Sequence, residues 1–246
     1  MEQGANRIVF PLDVSSSSAA IDLAGRLAGR VGLFKIGLEL FIRSGPDIVF
    51  AIRERTSAEI FLDLKLHDIP ETVRRAMVSV ADLGVRFVTV HCGESPKMLE
   101  AAVTGADGRV AVLGVTVLTS VSAADLKASA VTISVEDLVF RRAAAAQSAG
   151  CAGIVCSPHE ASSVKSAFGS GFIAVTPGIR PSWEGMEKND QQRVMTPAEA
   201  IRAGSDYLVI GRPIRDAGEP ASAAGRIARE IEGALAERKV DGAPEA

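Results

Sequence analysis

The densest chemistry in this 246-residue chain lies between residues 61 and 72, FLDLKLHDIPET. Asp63 and Lys65 stand two apart among alternating leucines, and Asp68 follows three residues later. On a strand, positions i and i+2 share a face. Asp63 and Lys65 are therefore expected to point one way, with Leu62, Leu64 and Leu66 pointing the other. A second lysine, Lys35, sits between Phe34 and Ile36, and Asp13 closes the apolar run IVFPLD. Close charges of alternating sign keep one another ionised. Such an array suits a reaction that develops charge on its substrate, because preorganised charges stabilise it without having to reorient. A purely structural ion-pair network would use the same residues, but desolvation offsets most of its attraction. The functional reading is therefore preferred for Asp63, Lys65 and Lys35. Lone histidines at such places more often pack than react, so His91 and His67 are assigned to structure.

A second constellation suits an anion. TPGIRP (176–181) and GRPI (211–214) each follow an apolar run. Gly178 and Gly211 permit close backbone approach, and Arg180 and Arg212 offer forked donors to a phosphate dianion. Thr116 and Thr119 end a further apolar run.

These residues need a scaffold that gathers strand ends. Apolar runs rich in β-branched residues place strands at 8–13, 33–39, 59–65, 87–91, 110–116, 153–157, 172–177 and 207–211. Helical periodicity fills the gaps at 19–29, 46–56, 70–83, 96–103, 135–149, 159–167, 197–203 and 219–237. Strict alternation implies parallel strands joined by right-handed crossovers. Eight such units, with no glycine-rich dinucleotide turn after the first strand, favour a single closed (β/α)8 TIM barrel over an open doubly wound sheet. The barrel is expected over residues 1–237, with a flexible tail at 238–246. Two connections are long: 120–134, with a short extra helix at 123–128, and 178–195, on the face where barrels build active sites and where a lid is expected.

Composition removes other classes. Lys and Arg number 27 against 30 Asp and Glu, so the net charge of −3 gives no general attraction to nucleic acid or an anionic membrane. Aromatic residues are only 4%, too few for a base-stacking platform. Three cysteines (Cys92, Cys151, Cys156) and three histidines offer neither a disulfide framework nor zinc spacing, so no metal is expected. The amino terminus does not read as a signal peptide and no apolar run is long enough to span a bilayer, so a reducing cytoplasm is expected.

The segment 61–72 resembles the signature D-x-K-x-x-D-I-P-x-T of the orotidine 5′-phosphate decarboxylase family. The resemblance extends through FPLD (10–13), FKIGLELF (34–41), GVTVLTS (114–120), TPGIRP (176–181), DQQRVMTP (190–197) and VIGRPI (209–214). It implies a (β/α)8 homodimer with sites shared across the interface, which uses no cofactor and converts orotidine monophosphate to uridine monophosphate and CO2. It implies that Lys65 donates the proton and that Lys35, Asp63 and Asp68 complete the charged array, with Asp68 and Thr72 reaching the partner subunit's site. Asp13 and Lys35 would contact the ribose hydroxyls, and Thr119 the region of the base. Arg180, Gly211 and Arg212 would hold the phosphate. Gln191, with Gln192 as the adjacent alternative, would contact it from the lid.

Two other functions are compatible with the residues alone. A Mg²⁺-dependent sugar-phosphate decarboxylase or aldolase on the same scaffold would use Glu39 with Asp63. A non-catalytic phosphate-binding barrel would have no need for a lysine between two aspartates.

Overall fold

The computed structural model describes residues 3–93, 95–183 and 194–241. Eight strands alternate with helices: β1 (Ile8–Pro11), α1 (Ser17–Arg26), β2 (Leu33–Gly37), α2 (Leu38–Ser44), α3 (Asp47–Arg53), β3 (Glu59–Leu66), α4 (Pro70–Asp82), β4 (Phe87–His91), α5 (Pro96–Ala106) and β5 (Ala111–Val115). They continue with α6 (Ala123–Ala128), α7 (Val135–Ser148), β6 (Gly153–Val155), α8 (Ala161–Phe168), β7 (Ile173–Thr176), α9 (Pro197–Arg202), β8 (Tyr207–Val209), α10 (Arg212–Arg215) and α11 (Pro220–Asp241). All strands pair in parallel and in chain order, and β8 closes on β1, so the expected TIM barrel is the observed fold.

Local chemistry starts the helices where the barrel needs them. Ser16 and Ser134 accept the Ala19 and Asp137 backbone N–H groups at 3.2 and 3.0 Å, and Ser122 and Thr196 form reciprocal capping boxes with Asp125 and Glu199. Proline opens α4, α5 and α9, where its missing N–H costs no hydrogen bond.

The core has two layers. The outer one, between strands and helices, holds Ile8, Phe34, Ile36, Ile60 and Leu62 against helix residues such as Leu23, Ile48 and Met77. The inner one fills the barrel with Val9, Leu33, Phe61, Phe87, Leu113 and Val175. Phe61 and Phe87 meet edge to face at 5.9 Å, and Phe87 meets Tyr207 at 5.2 Å. Two residues further along the same inward faces, the chemistry becomes polar: Leu33 leads to Lys35, Phe61 to Asp63, and Phe87 to Thr89. The apolar plug is thus the floor of the site. Cys92, Cys151 and Cys156 are all buried, and burial pushes the Cys92 and Cys151 thiols up to about 12 and Cys156 higher still.

Several element ends fall short of the sequence expectation, and three departures stand out. The strand expected at 33–39 stops at Gly37, and α2 begins at Leu38. A short helix, α10, follows β8. Helix α11 runs on to Asp241, past the expected tail boundary at 237, while residues 242–246 lie outside the described chain. No helix among the described residues is long and apolar enough to cross a membrane.

Candidate active site

The carboxyl ends of the strands surround a cavity of about 520 Å³. Its walls carry Asp13, Lys35, Asp63, Lys65 and Thr119 on one side, and Gly178, Arg180, Gly211, Arg212 and Arg215 on the other. The positions that sequence reasoning assigned separately to a charge array and a phosphate cradle therefore face one space.

Asp63 is the hub. Both of its oxygens accept from Lys65 Nζ at 2.9 Å. Lys35 Nζ lies 3.1 Å from Asp63 Oδ2 and 3.7 Å from Asp13 Oδ1. Burial alone would raise the Asp63 carboxyl, but the Lys35 and Lys65 ammoniums, with hydrogen bonds from Lys65 and Thr89, outweigh it and hold it below the usual carboxylate range. Asp63 is thus kept ionised by the two lysines that flank it.

Asp63 and Lys65 do share a face, but not along a regular pleat. In the β3–β4 ladder Leu62 pairs with Val88 and Leu66 with Val90, so Asp63, Leu64 and Lys65 stand opposite Thr89 alone. Within this bulge Lys65 adopts φ +49°, a left-handed conformation uncommon outside glycine and asparagine.

The wall formed after β7 and β8 depends on two glycines. Gly178 has φ +81°, which strains any residue with a Cβ. At Gly211 a Cβ would meet Pro11 Cγ at 2.9 Å. The long connection after β7 is tied at its base: Arg180 donates its backbone N–H to Met195, and Met195 donates to Gly178, at 3.0 and 3.2 Å. Trp183 packs under the Arg226 guanidinium, 4.0 Å from its ring centroid. Gln191 and Gln192, assigned to this connection, lie outside the described residues.

Arg215 was not anticipated. It lines the cavity, pairs with Asp216 at 2.6 Å and donates to the Asp13 carbonyl at 3.4 Å. Only α10 brings it back to the mouth, and nothing in GRPIRD marks that turn. Thr89 was also missed, because FVTVH reads as an ordinary strand.

Other candidates lie elsewhere. Asp68 and Thr72 are exposed and do not line the cavity, and the Asp68 carboxylate accepts the Ile69 N–H at 2.6 Å. Thr116 is buried and donates to the Val155 carbonyl at 3.1 Å. His67 and His91 pack against each other at 5.5 Å between ring centroids, and burial together with nearby His67, Lys65 and Arg142 lowers the His91 pKa. Glu39 is exposed on α2 and does not line the cavity with Asp63. No group of three or more metal-ligating residues comes together among the described residues.

A larger cavity of about 680 Å³ opens at the opposite end of the barrel. Its arginines are cross-tied: Arg109 pairs with Asp82 at 2.7 Å, and Arg53 donates to the Leu83 and Gly84 carbonyls. Those contacts join connections on the face that barrels use for stability.

Comparison with known proteins gives a consistent picture. The profile of the orotidine 5′-phosphate decarboxylase / HUMPS family matches residues 6–227. A protein of Desulfosudis oleivorans named orotidine 5′-phosphate decarboxylase is 53% identical over 233 residues, covering 93% of this chain and 94% of its own. One from an Anaeromyxobacter species, named likewise, is 50% identical over 224 residues, covering 91% and 97%. Among solved structures, the orotidine 5′-phosphate decarboxylase of Lactobacillus acidophilus superposes with a TM-score of 0.80 at 31% identity, covering 91% of this chain and 98% of its own.

Proposed function

Because the chain belongs to the orotidine 5′-phosphate decarboxylase / HUMPS family, we propose that it converts orotidine 5′-monophosphate to uridine 5′-monophosphate and CO2, a step of pyrimidine biosynthesis. The observation that carries this reading is the Asp63 carboxylate clamped between Lys35 and Lys65, in the same cavity as Arg180 and Arg212.

As CO2 leaves, the electron pair of the broken carbon–carbon bond stays on the pyrimidine carbon. The Lys65 ammonium, aimed at that carbon, stabilises the charge. It then transfers an Nζ proton to form the new C–H bond, and solvent reprotonates the amine. Asp63 keeps Lys65 and Lys35 oriented. Asp13 and Lys35 hold the ribose hydroxyls, and Thr119 lies by the base. Arg180, Gly211 and Arg212 bind the phosphate, with Gln191 joining them from the lid. Phosphate binding far from the reacting carbon supplies energy that is realised in the transition state.

In this reading the active form is a homodimer, with Asp68 and Thr72 completing the partner's site. Their exposure in the single chain supports this, as do the exposed apolar residues Leu38, Ile42 and Ile69, which follow the adjacent strands β2 and β3. The barrel, with α11 running on to Asp241, forms one catalytic domain, and the compartment is the cytoplasm.

The test is direct. Purified protein given orotidine monophosphate should lose substrate absorbance and yield uridine monophosphate, with or without EDTA. Lys65→Ala should lower turnover by at least ~10³-fold, since it removes both a proton donor and a charge, and still bind uridine monophosphate. Near-normal turnover in that variant sinks the assignment.

A further inference from the structure

Thr89 lies directly behind the charged array. It is fully buried on β4 opposite Leu113 and does not line the cavity. Its hydroxyl makes two contacts with the array. It accepts the Lys65 backbone N–H at 2.9 Å and donates to Asp63 Oδ1 at 2.9 Å. Asp63 in turn accepts from Lys65 Nζ. A closed circuit therefore runs from the backbone of Lys65, through one oxygen atom and one carboxylate, to the amine of the same residue.

The circuit addresses a problem created by the bulge. Where β3 leaves the ladder, the Lys65 N–H would face the barrel interior without a strand partner, and an unpaired buried amide is costly. Thr89 meets that need and also fixes Asp63. A single atom that both donates and accepts must be a hydroxyl here, and a β-branched residue holds it in a narrow rotamer range.

We propose that Thr89 is a positioning residue for the reaction: its hydroxyl locks the left-handed Lys65 backbone and the Asp63 carboxylate into one unit, which sets where the Lys65 amine points. The proposal rests on the reading of Lys65 as proton donor.

Thr89→Val preserves the shape and removes both hydrogen bonds. It should lower kcat by about 10- to 100-fold, the size usual for loss of a group that orients a functional residue. KM for orotidine monophosphate should change by less than about threefold, because the phosphate contacts are remote from β4. The acid limb of kcat should also move to higher pH, because Asp63 loses a donor while Lys35, Lys65 and His91 still face it and Asp13 still faces Lys35. Thr89→Ser should restore both kcat and the limb. A Val variant with a lowered melting temperature but unchanged kcat and limb overturns the proposal. So does failure of both Thr89→Val and Thr89→Ala to fold, since the hydroxyl would then be a folding determinant. Wild-type turnover measured alongside separates the two claims: an inactive wild type refutes the decarboxylase reading, whereas an active wild type with an unaffected Val variant refutes only the role of Thr89.

Discussion

At Asp63, one buried carboxylate answers two ammoniums. Its pKa is depressed below the ordinary 3.8. A group depressed in the folded state contributes stability that is complete above its unfolded value and is lost as pH falls through the folded one. Turnover governed by Asp63 should therefore hold down to the ordinary carboxylate range and fail only below 3.8, with the urea midpoint falling in the same window. Asp63→Asn should cost about 1–3 kcal/mol, because Lys65 loses its carboxylate partner and Lys35 keeps only Asp13, at 3.7 Å. Urea unfolding and a pH profile check both, and an acid limb near neutrality would contradict the assignment. Asp13, Lys35, Asp63 and Lys65 were legible in the sequence because a charge inside an apolar alternation has no packing explanation. Thr89 was not, because threonine is an ordinary strand residue whose role exists only where β3 leaves its ladder. Asp68 and Thr72 drew attention only through the family signature, and the single chain leaves them at its surface.

Element boundaries decided how the charges meet. Eight alternating units were readable from periodicity, and so was the extra helix at 123–128, whose Ser122–Asp125 capping pair is local. Helix α2 was not: LELF continues the apolar character of β2, and its exposed Leu38 and Ile42 do not mark an inward helical face. Gly37, extended at the helix start, ends the strand without a distinctive residue pattern. The other unanticipated helix, α10, follows β8 with Gly211 pressed against Pro11 of β1. Gly211→Ala should push the two apart and displace Arg212. An overpacked contact of this kind costs about 1–3 kcal/mol, and KM should rise by about tenfold while kcat falls less. Michaelis constants and thermal unfolding of that variant test this, and an unchanged KM would detach α10 from substrate binding.

For the whole molecule, the barrel supplies a floor, a rim and a charged cavity at the carboxyl ends of its strands, while Asp68, before α4, and Thr72, in its first turn, stand outside that cavity. If they serve a neighbour, two defective chains should repair each other. Lys65→Ala and Asp68→Ala, each inactive alone, should regain activity when co-expressed, because a mixed dimer assembles one site with both native residues. An absence of rescue in mixed dimers would place Asp68 in its own subunit's chemistry or in none. The buried thiols carry a different consequence. Cys92, Cys151 and Cys156 all sit in the packed core with their sulfurs held protonated. Oxidants and alkylating dyes therefore have no purchase on the closed barrel. When reclosing outpaces labelling, dye uptake reports the fraction of molecules open at any moment, so this chain carries its own built-in gauge of breathing, with no probe to engineer.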